Sequence, residues 1–194
     1  MWPAVRLCLT PTGPLRRALA GIVLAGCAAA SLATPGVRLP AAVDALAGGL
    51  APRGQAELRW FGLKLYDAAL WTAGPYWMAD GPHALEIRYA RDIRGSRLVD
   101  TSIDEIRRLG HDDERRLGQW RSALAAVLPD VSAGDTLVGL HLPGRGAHFW
   151  HGERPLGAIT DPALAQAFFA IWLDARSREP ALRAQLLGAA PPAR

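Results

Sequence analysis

Cysteine is nearly absent from this chain. Of its 194 residues only Cys8 and Cys27 are cysteines, and both precede residue 34. The remainder can therefore form no internal disulfide and no thiolate metal site. Acidic residues are missing from the same opening stretch, which carries Arg6, Arg16 and Arg17. That asymmetry accounts for most of the formal charge of +4. Without those three arginines, 19 of the 22 basic residues face 18 acids. A body so nearly neutral lacks the excess of phosphate-neutralising charge that drives nonspecific nucleic-acid binding, so a nucleic-acid partner is not expected. Repeats of 20–50 residues are absent, which excludes solenoids and propellers. No apolar run after residue 30 approaches the ~20 residues that span a bilayer. What is present is a composition with 50% hydrophobic and 21% charged residues, as expected of a packed globular protein.

The opening stretch reads as an export signal. Arg16 and Arg17 end a positive region, and residues 18–30 form an apolar run too short to cross a membrane. Two processing readings compete. Leu24-Ala25-Gly26-Cys27 is a lipobox that would leave Cys27 as a lipidated N-terminus. Ser31-Leu32-Ala33 places small residues for ordinary cleavage before Thr34. The expected location is the periplasm, either soluble or as a lipoprotein, with membrane contact only through the signal or lipid anchor. The expected division is a signal over residues 1–33, a lead-in over 34–56 with a helical stretch at 41–46, a domain over 57–188 and a disordered tail over 189–194.

Within the domain, residues 57–71 read as extended, interrupted by Gly62 as a bulge or bend. Residues 84–93 alternate cleanly, with Leu85, Ile87, Tyr89, Arg91 and Ile93 on one face. Ser102-Ile103-Asp104-Glu105 has the form of a capping box that opens a helix. Asp112, Asp113 and Glu114 open a second helix, with a stripe of Leu117, Trp120 and Leu124. Residues 136–142, 147–150 and 156–159 are short strands. Asp161-Pro162 starts a helix, and a last one runs over 180–187. Strands, helices, strands, helices in blocks favour an α+β fold with an antiparallel sheet.

Histidines at 141, 148 and 151 suggest metal, but His148 and His151 point to opposite faces of a strand, and exposed hairpin histidines are the expectation. No metal and no cofactor are expected. A Gly-x-Ser-x-Gly elbow is absent, and Pro143-Gly144-Arg145-Gly146 joins two strands rather than opening a helix, so neither a hydrolase triad nor a phosphate loop is supported.

The run Leu58-Arg59-Trp60-Phe61-Gly62-Leu63-Lys64-Leu65-Tyr66-Asp67-Ala68-Ala69-Leu70-Trp71 resembles a strand motif of chalcone-isomerase-like proteins. Gly134-Asp135, the Pro143–Gly146 loop, Gly152 and Gly157, and Phe168-Phe169-Ala170-Ile171-Trp172-Leu173 follow in the same order as in that family's bacterial, exported branch. The resemblance implies an open-faced β-sandwich: one large antiparallel sheet, a helical layer on one face, and a ligand cleft between them. Plant members cyclise chalcones there, and related members bind fatty acids. An early-strand arginine meets the ligand's oxyanion or carboxylate, and Arg59 is the match. The departures from the active enzymes are specific. An ungapped alignment places Leu98 where they have a tyrosine and Glu105 where they have an asparagine, and no tyrosine follows Tyr89.

The expected ligand residues are therefore Arg59, Tyr66 and Arg91, with no catalytic set. The leading reading is a noncatalytic binder of a small amphipathic acid, fatty or aromatic. The alternatives are an intramolecular lyase (isomerase) acting on a chalcone-like substrate, and an envelope interaction module without a ligand.

Overall fold

The computed structural model describes residues 39–189. The signal reading, Cys27 and residues 190–194 lie outside the described residues. A short helix, α1 (Ala41–Ala47), leads into a six-stranded antiparallel sheet: β1 (Ala51–Trp60), β2 (Leu63–Thr72), β3 (His83–Tyr89), β4 (Thr136–Leu142), β5 (Gly146–His151) and β6 (Arg154–Ile159). The strands lie side by side in chain order. Between β3 and β4 come α2 (Gly95–Arg108) and α3 (Glu114–Ala125). After β6 come α4 (Pro162–Leu173) and α5 (Pro180–Leu186). This is an α+β fold.

Period-2 alternation divides the sheet between two cores. Leu70, Leu85, Ile87, Tyr89, Leu137 and Phe149 share one core with α2 to α5. Ala84, Val138, Leu140 and Trp150 lie on the other face, where Leu39 and Val43 of the α1 segment pack against them. The second face is thus partly covered by α1, beyond the single helical layer expected from the resemblance.

Local chemistry sets most of the helix ends. Asp161 caps α4, accepting from the amides of Ala163 and Leu164, and its other oxygen accepts from the Trp120 indole at 2.8 Å. One carboxylate therefore starts α4 and ties it to α3. Asp113 caps α3 through the Arg116 amide. The start of α2 differs from the sequence expectation. It begins at Gly95, whose amide donates to Asp130 at 2.7 Å, and Ser102 sits in mid-helix, donating to the Leu98 carbonyl. Ser102 is not a cap, because Asp130, 35 positions beyond Gly95, takes the free amide at the helix start.

Three further differences bear on the site. Residues 57–71 are not one bent strand but a hairpin. Phe61 and Gly62 form its two-residue turn with φ of 46° and 78°, both positive as a type I′ turn requires. β1 begins at Ala51, inside the expected lead-in, and pairs along its length with β2. β3 ends at Tyr89, so Arg91 lies in the bend beyond it and not on the apolar strand face.

Candidate functional site

Sheet and helices do not close fully on one another. Between them is a cavity of about 570 Å³, within the range of small-ligand sites. Its floor is the inner sheet face: Leu58, Tyr66, Leu85, Ile87, Leu137 and Phe149. Its walls come from α2 through Leu98 and Ser102, from α4 through Phe168, Phe169 and Trp172, and from Leu182 of α5. Gly139 of β4 leaves room at the inner end, where an added methyl would meet Phe169 Cζ at 3.0 Å.

Few polar groups enter this space. Ser102 and Ser177 spend their hydroxyls on the backbone carbonyls of Leu98 and Ile171. Tyr66 and Tyr89 are cross-strand partners on β2 and β3, with ring centroids 6.3 Å apart. The Trp172 indole donates to the Tyr66 hydroxyl at 3.0 Å, so the phenol's own proton stays free to donate to a ligand. Burial pushes the Tyr66 phenol up to about 12, against the opposing effect of the Trp172 bond. Burial raises the Tyr89 phenol as well, and the neighbouring Tyr66 adds to the shift. Both are neutral hydrogen-bond donors at any ordinary pH.

Charged residues stand at the rim: Arg97, Asp104 and Glu105 on α2, and Arg178 and Glu179 between α4 and α5. Glu105 is held from two sides, by Arg108 at 2.7 Å and Arg178 at 2.8 Å. This clasp joins α2 to the segment after α4. Arg97 has no acidic partner among the described residues. Among the described residues it is the one cation of the cavity wall without such a partner.

Of the three residues expected from sequence, only Tyr66 lines the cavity. Arg59 alternates with Leu58 and Trp60, which face the cavity, and so points the other way. There it donates to Glu57 at 2.7 Å and to the Gly62 carbonyl at 3.1 Å, half exposed. Arg91 is exposed and outside the cavity. The structure brings in instead Tyr89, Arg97 and Arg178. Tyr89 was legible, since it shares the face of Leu85 and Ile87. Nothing local marks the two arginines, which reach the cavity lining from α2 and from the loop between α4 and α5.

The histidine expectation also needs correction. His141 is buried, 4% exposed, beside His83, at 2%, with ring centroids 4.8 Å apart. His151 pairs with Asp135 at 3.2 Å. Among the described residues no group of three or more His, Cys, Asp or Glu side chains is arranged to hold a metal.

The fold is thus a sheet roofed by helices over an apolar cavity with a sparse polar lining. The chain belongs to the chalcone isomerase-like family, whose model matches residues 31–188. Among solved structures it is similar to the fatty-acid binding protein AtFAP1 of Arabidopsis thaliana. The match has a TM-score of 0.52 and 11% identity, covering 71% of this chain and 86% of that one. At that identity the likeness speaks for the fold. No curated protein matches the chain.

Proposed function

We propose that this protein is a noncatalytic binder of a small amphipathic acid, fatty or aromatic, and that it acts in the cell envelope after export. The observation that carries the reading is the apolar cavity with one uncommitted arginine, Arg97, in its wall. The hydrocarbon part would lie against Leu85, Ile87, Leu137 and Phe149, replacing water on apolar surface. The carboxylate would sit near the rim, where guanidinium can meet it in bidentate fashion. The phenols of Tyr66 and Tyr89 supply further donors. The fatty-acid binding protein of similar fold supports this ligand class. The signal-like opening residues, Cys27 lipobox included, support export and the exported branch of the family.

Two competing readings fit less well. A module whose cleft is filled by its own side chains would not leave about 570 Å³ open. An isomerase would want hydrogen-bonding groups at the positions of Leu98 and Glu105. Both line the cavity, but Leu98 has no such group and Glu105 is already clasped by two arginines.

The test is to purify residues 37–194, whose described part lies in one compact unit, and to extract small molecules for mass spectrometry beside an Arg97→Gln variant. A copurifying fatty or aromatic acid, depleted about tenfold in the variant, is the expected result. An empty wild-type protein that also ignores a panel of fluorescent fatty and aromatic acids would overturn the reading.

A further inference from the structure

The β1–β2 turn places large apolar side chains in solvent where turn chemistry asks for something else. Trp60 is 55% exposed, Phe61 91% and Leu63 53%. The two Trp60 and Phe61 rings pack edge to face, 5.2 Å apart. Phe61 holds φ at 46°, a region that disfavours bulky L-residues and suits asparagine or glycine. Asn-Gly would be the ordinary choice for this turn. A phenylalanine here gives up stability to project an aromatic ring outward.

The tip is not isolated from the cavity. Trp60 is part of the cavity lining, so the same side chain belongs both to the exposed tip and to the wall. Cations gather at this end of the sheet. The Ala90 amide bonds the Leu65 carbonyl at 2.9 Å, which brings the chain after β3 beside the hairpin. That chain carries Arg91, Arg94 and Arg97, all exposed and without acidic partners among the described residues.

We infer that the Trp60–Leu63 tip docks on the surface of an anionic lipid bilayer and presents the cavity mouth to it. A protruding aromatic tip suits the bilayer interface, where tryptophan bodies sit at headgroup level. Free arginines beside it match the negative surface potential of anionic lipids. A protein partner would more ordinarily be met by a broad patch with a polar rim than by a four-residue projection. The inference rests on the cavity reading for its purpose: a docked tip lets an acyl or aromatic ligand pass between hydrocarbon and cavity without crossing water.

The experiment is cosedimentation of residues 37–194 with vesicles of phosphatidylcholine alone and of phosphatidylcholine with phosphatidylglycerol. Wild type is compared with Phe61→Asn and with Phe61→Asn/Leu63→Ser. The wild type is expected to partition onto the anionic vesicles, and the double variant to lose that partition by about tenfold or more. Phe61→Asn alone should lower partition while raising Tm by about 2–4 °C, a combination that a structural role for Phe61 would not produce. Wild-type protein left in the supernatant, or variants that sediment equally well, would overturn the inference. So would a wild-type dimer on gel filtration that Phe61→Asn dissociates, since the tip would then join two copies. Binding of a soluble fluorescent fatty acid, measured without vesicles, is expected to survive in all three proteins. Its loss in the wild type would strike the cavity reading and leave the docking result standing.

Discussion

Tyr66 and Tyr89 face one another across β2 and β3, and the hydroxyl of Tyr66 is held by the Trp172 indole of α4 at 3.0 Å. Replacing Tyr66 by Phe would strand the half-buried Trp172 donor and should cost about 1 kcal/mol in urea unfolding. Alkali gives a second readout. The folded pKa of Tyr66 is raised to about 12 above an unfolded value of about 10. Its contribution is complete below pH ~10 and is lost as pH rises toward 12. Tyr66→Phe should flatten that loss, and stability curves between pH 9 and 12 measure it. An unchanged slope would mean that the phenol is already open to water.

Gly54 sits where α5 meets β1. A methyl there would collide with the backbone carbonyl oxygens of Gln185 and Leu186, and backbone cannot swing aside as a side-chain end can. Gly54→Ala should therefore destabilise by about 3 kcal/mol, seen as a lower urea midpoint at unchanged slope.

Two buried titrating groups oppose each other between pH 7 and 4.5. Burial between Ala69 and Val138 pushes the Glu86 carboxyl up to about 7, with Arg88 offsetting only part. Burial pushes the His83 imidazole down to about 4, despite the bond of its Nδ1 to the Gly81 carbonyl. Glu86 favours the fold when protonated, so its contribution is present below its unfolded pKa and is lost as pH rises through 7. His83 favours the fold when neutral, so its contribution is present above ~6.5 and is lost as pH falls toward 4. Acidification thus gains at one site what it loses at the other. Glu86→Gln should raise stability at pH 8 by about 2–3 kcal/mol and leave a protein that weakens steadily from pH 6.5 to 4.5. His83→Leu should give the opposite slope, with stability rising as pH falls. Parallel curves for all three proteins would refute this.

The contrast between legible and hidden parts follows from how local each cause is. β4 and α4 could be read because their signals lie within a few residues: a short, mostly apolar run over 136–142 bounded by turn residues, and Asp161-Pro162 before an apolar run. The start of α2 could not, since its cap, Asp130, arrives from across the fold. β1 begins in Ala51-Pro52-Arg53-Gly54, a poor strand sequence that becomes a strand by pairing with β2. The site was half legible. Tyr66 was expected at the ligand and lines the cavity; Tyr89 was read only as part of the apolar strand face; and Arg59, matched through the family resemblance, is turned outward by its neighbours' alternation and captured by Glu57. Arg97 on a helix carries no local mark of its place in the cavity wall.

Leu98 offers the cleanest way to separate binding from folding. It is half-buried on α2 and borders open cavity, so a larger side chain there can grow into empty space. Gly139 differs: an added methyl would already press on Phe169 at 3.0 Å and on Phe149 at 3.3 Å, and substitution would strain the core. Leu98→Trp should therefore keep Tm within a few degrees of wild type while lowering affinity for a fluorescent fatty acid by about tenfold or more. Gly139→Val should lower both. Calorimetric unfolding and ligand titration on the two variants distinguish a filled cavity from a damaged fold. Undiminished binding by Leu98→Trp would place the ligand elsewhere on the protein.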